Sequence, residues 1–458
     1  MSEIPPAIVG DAYLNERSWE FLEELTDIGN RLAGTDGEKE ARELVKKQFS
    51  AIDAHNIETN EFEFPGWQRG TTTLEVNGSN RWQLDRQHEI VALPGSPSGD
   101  IEAEIYSIDA GVPGDFDSTE LEGKIVMTSN RTPAGVNRRL QRYEKYARAA
   151  NAGAVGFLFR NQIPGCVPAV GTVNPWADTT NDDTLIGSVV GAAISREEGR
   201  RILRHLKKGS VTASLEVNCT KAPAKSKNIE AVLGPESKEE VLLTAHIDAH
   251  DLGNGARDNG FGSALVVEVG RLLSQIESEL DSRVRLVLFG AEEFGLYGSD
   301  YWIKNNNSEN IKCVINLDGI GFSNNLYVRT HGFDEIGRAF KEVEDEVHTP
   351  VKVTDELNMY GDHWTFASNG VPSAYVGSEQ RDSTSGVTPK GWGHTHADTL
   401  DKHNYRDFRE LAIALTTGII KLTENERKIA AASTEEVRSA LIDQGYEDTL
   451  KVTDRWRW

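Results

Sequence analysis

Cysteine is scarce in this chain of 458 residues: Cys166, Cys219 and Cys313 are the only three, and their spacing pairs none of them. Three such thiols build neither a disulfide framework nor a thiolate zinc site, and they suit a reducing, cytoplasmic setting. Also missing is any run of ~18 consecutive apolar residues, so no segment is expected to span a bilayer. The first residues, Met1-Ser2-Glu3-Ile4-Pro5-Pro6, lack the basic and apolar regions of a secretory signal. Positive charge is in short supply too. Against 49 Lys and Arg stand 72 Asp and Glu, a formal net charge of −23. Nucleic acid or an anionic membrane would be repelled by such a surface, which excludes both as main partners.

With 38% hydrophobic residues in regular patterns, the chain has what it needs to bury cores, and its length implies two or three domains. The acidic excess runs along the whole chain rather than in a tail, and Arg outnumbers Lys by 29 to 20. An acidic cytosolic enzyme is one reading. Adaptation to molar salt, a halophilic reading, is the sharper one, since a Debye length of ~3 Å at 1 M silences self-repulsion. It predicts loss of far-ultraviolet circular dichroism in about 10 mM salt, where screening is weak.

Apolar residues recur at helical spacing over 18–56, around the interruption Gly34-Thr35-Asp36-Gly37. Strand patterns follow at Ile57–Phe64 and Thr71–Val76. Beyond Leu93-Pro94-Gly95, short apolar runs (Ile105–Ile108, Lys124–Met127, Ala154–Phe159, Leu185–Ala193, Val211–Val217) alternate with helical patterns at Asn137–Asn151 and Arg196–Lys207. A polar stretch, 220–227, reads as a linker. Strands then recur at Val241–Ala245, Val284–Phe289, Ile311–Leu317 and Ser373–Val376, with helices at Phe261–Ile276, Tyr405–Leu422 and Thr434–Asp443. Continuous apolar strands between amphipathic helices predict an α/β fold, a mostly parallel mixed sheet sandwiched by helices. The division expected is 1–94 and 221–432 as parts of one domain, 95–220 as a smaller α/β insertion, and 433–458 as a C-terminal helix and tail.

The chemistry collects where those strands end. His246-Ile247-Asp248-Ala249-His250 closes the first, and Arg257-Asp258-Asn259-Gly260 opens the helix after it. The second runs into Glu292-Glu293, and the third ends in Asn316-Leu317-Asp318. Much later comes His394-Thr395-His396-Ala397-Asp398-Thr399. Ligands of open parallel sheets bind beyond the carboxyl ends of the strands. Histidines with several carboxylates and no thiolate cluster suit Zn²⁺, with Mn²⁺ or Co²⁺ as alternatives. If one carboxylate is shared, the set serves two open sites ~3.5–4 Å apart, suited to activating water and clamping a carbonyl. One further carboxylate must stay unligated to take a proton, and the pair Glu292-Glu293 supplies one ligand and one base.

These motifs together resemble the M28 family of metallopeptidases, the dizinc aminopeptidases and their carboxypeptidase Q-like branch, over about residues 228–425. Leu121-Glu122-Gly123-Lys124-Ile125-Val126 and Ala149-Ala150-Asn151-Ala152-Gly153-Ala154-Val155-Gly156 resemble a protease-associated (PA) domain. The resemblance implies a zinc exopeptidase fold and hydrolysis of terminal peptide bonds in small peptides. It implies two Zn²⁺, with His246 and Asp318 on one, Glu293 and His394 on the other, and Asp258 between them. Asp248 would orient the His246 ring, and Glu292 would be the base that deprotonates the bridging water. The Asp258–Asn259 bond would be cis. Tyr360 and His363, in Met359-Tyr360-Gly361-Asp362-His363, fall where the family has a Ser-Asp-His stretch, and are candidates to meet substrate or oxyanion; Gly361 replaces the serine. His250 and His396 compete with His246 and His394, His403 reads as a surface residue, and Arg381 and Lys390 are candidate holders of a substrate carboxylate. A dipeptidase or carboxypeptidase is the alternative within this resemblance. The M20 amidohydrolases carry their lid after the metal-binding residues, whereas here the insertion precedes His246 and only 76 positions separate Asp318 from His394. A receptor-like homologue would lack ligands that this chain keeps, and a cyclase-like relative would favour a single zinc. A homodimer is compatible with all of these readings.

Overall fold

A computed structural model describes residues 3–117, 119–136, 138–379 and 392–458. Its contacts divide the chain into two units. The first comprises residues 1–63, 225–390 and 398–440; the second comprises 64–224, 391–397 and 441–458.

In the first unit the strand order is Val351–Thr354, Leu326–Arg329, Ser373–Ser378, Ile311–Leu317, Glu240–His246, Arg283–Phe289 and the end of Thr212–Leu233. The four middle strands from Ser373–Ser378 to Arg283–Phe289 are mutually parallel, with Asn316 opposite Thr244 and Phe289 opposite His246. Antiparallel partners flank them, Leu326–Arg329 on one side and Thr212–Leu233 on the other. Every residue of Glu240–His246 and Ile311–Leu317 is buried. That is why these strands read as mainly apolar rather than alternating, with Thr244, Lys312 and Asn316 as buried polar interruptions. Chain order places Arg283–Phe289 on one side of Glu240–His246 and Ile311–Leu317 on the other, so the crevice at their carboxyl ends is the switch point of the sheet. Leu242, Val287, Phe289, Trp302, Val314 and Phe366 pack together beneath it, each such burial contributing ~1.5–3 kcal/mol. Helices Arg17–Asp27, Asp36–Ala51, Phe261–Ser274, Asp334–Val347 and Tyr405–Thr423 belong to this unit. Thr35 caps the second by accepting from the Glu38 amide, and Asn404 caps the last by accepting from the Asp407 amide at 2.9 Å.

The second unit has its own sheet, in the order Thr212–Leu233, Gly99–Ser107, Ile125–Ser129, Gly156–Arg160, Val190–Ile194 and Ile90–Ala92. The four strands from Gly99–Ser107 to Val190–Ile194 are parallel, with Arg142–Asn151 and Arg196–Leu206 as helices. Residues 64–94 pack here and not with the first unit, because the distal half of His55–Asn77 pairs antiparallel with Arg81–Leu84. The C-terminal tail joins the same unit. Arg455 is buried, pairs through two nitrogens with Asp178, and lies over the Trp176 ring at 4.1 Å.

Some local expectations change. The polar stretch 220–227 is strand, part of Thr212–Leu233. Its charges alternate outward, with Lys225 and Lys227 on Glu61, while Ser226 and Asn228 point into the fold. A short polar run with period two is easily mistaken for a linker. Helix Arg142–Asn151 starts later than the pattern at Asn137 suggested. His403 is not a surface residue: its ring packs at 5.2 Å from Phe261, and burial pulls its pKa down to about 4. Among the described residues, no helix is long and apolar enough to cross a membrane.

Candidate active site

Three strand ends carry the site. Glu240–His246 delivers His246, whose Nδ1–H donates to the Asp248 backbone carbonyl at 3.0 Å. That fixes the ring and turns Nε2 toward Asp258 Oδ1 at 3.4 Å and Asp318 Oδ1 at 4.0 Å. One ligand atom from each of His246, Asp258 and Asp318 lies within 4.8 Å of the others. A further pair stands nearby in the chain: His250 Nε2 is 2.9 Å from Glu293 Oε2, and both residues are buried. The structure thus gives Glu293 a histidine partner in His250.

Asp248 does more than face His246. Its carboxylate, 3.6 Å from the His246 ring nitrogen, accepts the backbone N–H of Glu292 at 3.1 Å and of Glu293 at 3.2 Å. One buried side chain therefore fastens the end of the first strand to the end of the second. Glu292 itself is partly buried. That burial, with the carboxylates of Glu293, Asp362 and Asp318 around it, holds its carboxyl well above the usual range, opposed by His246. Burial pulls the His246 imidazole down, but Glu292, Asp248 and Asp258 outweigh it and favour the charged ring.

Asp258 and Asn259 lie in the irregular turn Ala256–Gly260, and their peptide bond is cis, as the resemblance implied. Two residues that the sequence reading left without a role hold this turn. Asp398 accepts from the Arg257 amide at 2.8 Å and the Asp258 amide at 3.2 Å. Arg31, fully buried, donates to the carbonyls of Leu25, Ile247, Asn254 and Gly255, so it braces the loops on both sides of the site. Burial lowers its pKa to about 10, still charged at neutral pH. Asp398 was visible as part of the His394–Thr399 motif. Arg31 had no local signal, because all its partners are backbone carbonyls and three of them, Ile247, Asn254 and Gly255, lie more than 200 positions away.

His394 is found among residues 391–397 of the second unit, in a left-handed conformation (φ +62°), with Nδ1 bonded to the Val170 carbonyl at 3.1 Å. Tyr360 is half-buried, its amide held by the Asn358 side chain. His363 is fully buried: Nε2–H donates to the Asn358 carbonyl at 2.8 Å, the ring stacks on His331 at 4.7 Å, and burial holds its pKa well below normal. The two candidates therefore differ, His363 serving as a packed ring. Gly361 explains the missing serine. At φ +132° it sits where a Cβ would press on the His363 ring at 3.0 Å and approach Asp318 Oδ2 at 3.4 Å. Arg381 and Lys390 lie outside the described residues. Tyr375, unremarked in the sequence, stands edge-on to His363 at 5.4 Å beside Asp318.

The donor set fits divalent cations. Four carboxylates, those of Asp258, Glu292, Glu293 and Asp318, gather at one sheet end together with the imidazoles of His246 and His250.

Comparison with known proteins agrees. Residues 228–417 match Peptidase family M28, and residues 91–202 match the PA domain. Aminopeptidase YwaD of Bacillus subtilis (strain 168) is 26% identical over 420 residues, covering 88% of this chain and 83% of that protein. Carboxypeptidase Q of Xenopus laevis is 27% identical over 363 residues, covering 77% of this chain and 75% of that protein. Among solved structures, a Peptidase M28 precursor from Shewanella amazonensis SB2B shares the fold with a TM-score of 0.75 at 22% identity, covering 93% of this chain and 98% of that one. BSAP, a zinc aminopeptidase from Bacillus subtilis, shares it with a TM-score of 0.67 at 22% identity, covering 90% and 97%.

Proposed function

Starting from a chain whose residues 228–417 match Peptidase family M28 and whose residues 91–202 match the PA domain, we propose that it is a zinc-dependent aminopeptidase, removing the first residue of small peptides. The observation that carries this reading is the convergence of His246, Asp258 and Asp318 on one point beside the protonatable Glu292. Relatives named aminopeptidase and a zinc aminopeptidase of the same fold support it.

His246 and Asp318 would hold one Zn²⁺, Asp258 would be shared, and Glu293 would serve the second. His250 joins Glu293 by proximity. His394, four residues before the Asp398 that caps the Asp258 amide, is the further ligand that the motif supplies. Bound there, the two cations would lower the pKa of water and polarise a peptide carbonyl. The protein's own groups do the rest. Asp248 keeps Glu292 and Glu293 in register by holding both backbone amides. Glu292 takes a proton from the attacking water and passes it to the leaving amine, a role its raised pKa suits. Tyr360 is the candidate donor to the developing oxyanion.

Glu292→Gln tests the mechanism. It is expected to lower kcat by about 10³-fold while cation content, read by elemental mass spectrometry, stays at the wild-type level. Unchanged turnover would remove Glu292 as the base. A panel of N-acetylated, C-amidated and free peptides tests the end recognised, since acetylation must stop an aminopeptidase and amidation must not. The opposite pattern would favour the carboxypeptidase reading, which the likeness to Carboxypeptidase Q keeps in play.

A further inference from the structure

The second unit holds a cationic groove in a chain whose net charge is −23. Helix Arg196–Leu206 and the end of strand Gly99–Ser107 line this open groove, about 880 Å³ in volume. Half-buried Tyr106, Leu203 and Leu206 give it an apolar surface. Arg200, Arg204 and Lys207 line it too, all three exposed, and spacings of four and three residues put them on one helix face. Among the described residues none of these three cations forms an ion pair, because the neighbouring carboxylates are engaged elsewhere. Glu197 accepts the backbone amides of Gly165 at 3.0 Å and Cys166 at 3.1 Å, and Glu198 lies 3.5 Å from Arg201. At the groove itself Glu104 meets Lys124 at 2.6 Å, and Asp109 meets Arg160 at 2.6 Å and Arg131 at 3.5 Å. Burial lowers the Arg160 pKa, and Arg200 and Arg196 lower it further against Asp109, so cations crowd this side of the unit.

We propose that this groove docks an acidic peptide segment of another protein, lying extended, with carboxylates on the Arg200–Arg204–Lys207 stripe and apolar side chains between them. From Arg200 to Lys207 the helix rises about 10 Å, the span of about three residues of extended chain, whose side chains alternate. An Asp or Glu at every second position therefore meets the stripe, while the intervening apolar side chains reach Tyr106 and the two leucines. An exposed ion pair contributes little alone, so recognition needs the charged and the apolar halves together. A nucleic-acid backbone brings the charge without apolar side chains, and the charge of the whole chain repels it.

The probe is the peptide Leu-Glu-Leu-Asp-Leu-Glu-Leu, fluorescein-capped at its first residue and amidated at its last, so that neither end is open to an exopeptidase. Anisotropy with the full chain is expected to show saturable binding in about 50 mM salt that weakens in about 0.5 M, where screening is stronger. A peptide with Gln and Asn for the acids, and one with Ser for the leucines, should each bind about tenfold more weakly. Arg200→Ser combined with Arg204→Ser should weaken the parent peptide by about the same factor, and Lys207→Gln by less. Should the double variant fail to fold, Arg204→Gln and Lys207→Gln, each alone, decide on the same comparison. Equal binding by wild type and folded variants places the peptide elsewhere and leaves the stripe as cations at a helix C-terminus only, which overturns the proposal. So does absence of saturable binding, an unchanged affinity for the uncharged peptide, or an oligonucleotide of the same charge that competes as well as the peptide. Self-association of wild type through the stripe, seen by sedimentation without peptide and lost in the double variant, would assign the groove to a second copy and overturn it too.

Discussion

The two units are built alike, but the strand ends of the first gather charge differently from the interior of the second. Each is a sheet with parallel central strands and buried apolar faces. In the second unit the charges under the sheet are answered within the chain. Glu144, 1% exposed, receives Arg138 through two bonds of 2.6 and 2.8 Å and Arg148 through two more. Arg160 reaches Asp109 at 2.6 Å, and Lys145 donates to the carbonyls of Ser129 and Arg131. In the first unit, by contrast, the carboxylates of Asp258, Glu292, Glu293 and Asp318 meet imidazoles and one another. Like charges so placed are relieved by protonation, as the raised Glu292 carboxyl illustrates, or by the cations proposed above. Elsewhere the first unit pairs its buried charges as the second does, Arg271 with Glu268 and Arg42 with Glu38, so the crowded strand ends stand out within it as a candidate site in a scaffold.

The largest expected effect attacks the first half of that contrast. Asp258→Ala should weaken both cations together, by on the order of 10³-fold in affinity, about 4 kcal/mol each. Elemental analysis under competition with a chelator measures it. A loss confined to one cation contradicts the shared role of Asp258. In the chelated protein the same substitution should leave the unfolding midpoint unchanged or raised, because it removes one of several crowded negative charges.

Glu144→Ala should do the reverse. It takes from Arg138 and Arg148 the carboxylate they share, leaving Arg148 its exposed partner Asp448, and should cost about 3 kcal/mol in urea unfolding, with cation content untouched. A cost below about 1 kcal/mol, the range of exposed pairs, would mean that the pairing in this unit is ornamental and would blur the contrast.

How much of this was legible in the sequence follows the same line. Strands such as Ile311–Leu317 announce themselves because burial on both faces favours a mainly apolar stretch, here Cys313, Val314, Ile315 and Leu317 with Ile311. The site residues were legible because strand ends place His246, Glu292, Glu293 and Asp318 at fixed offsets from those runs. Arg31 and Tyr375 were not, since their meaning lies in backbone carbonyls and side chains brought together only by the fold. Leu326–Arg329 and Val351–Thr354 escaped for another reason. Each is four residues long, half-buried at the rim of the sheet, and too short to show a period. The 220–227 stretch misled because its buried member Ser226, like Asn228 just after it, is polar, and they pair with Glu38 and with the Gly290 and Gly298 backbone.

The smallest effect probes the weakest pairing of the second unit. Lys145 is 1% exposed and meets carbonyl oxygens, and burial lowers its pKa to about 8, with Glu144 opposing. The unfolded chain holds that proton up to the ordinary lysine value of 10.5. Between these two values the unfolded state binds the extra proton, so stability rises with pH across this window; below about 8 both states are charged and the full cost stands. Relative to Lys145→Met, wild type should therefore gain on the order of 2 kcal/mol between pH 8 and pH 10.5. Parallel denaturant titrations of the two proteins isolate this group from every other that titrates there. A difference that stays flat across the window would show Lys145 to be as fully paired as Glu144, and the second unit would then answer all of its buried charge at once.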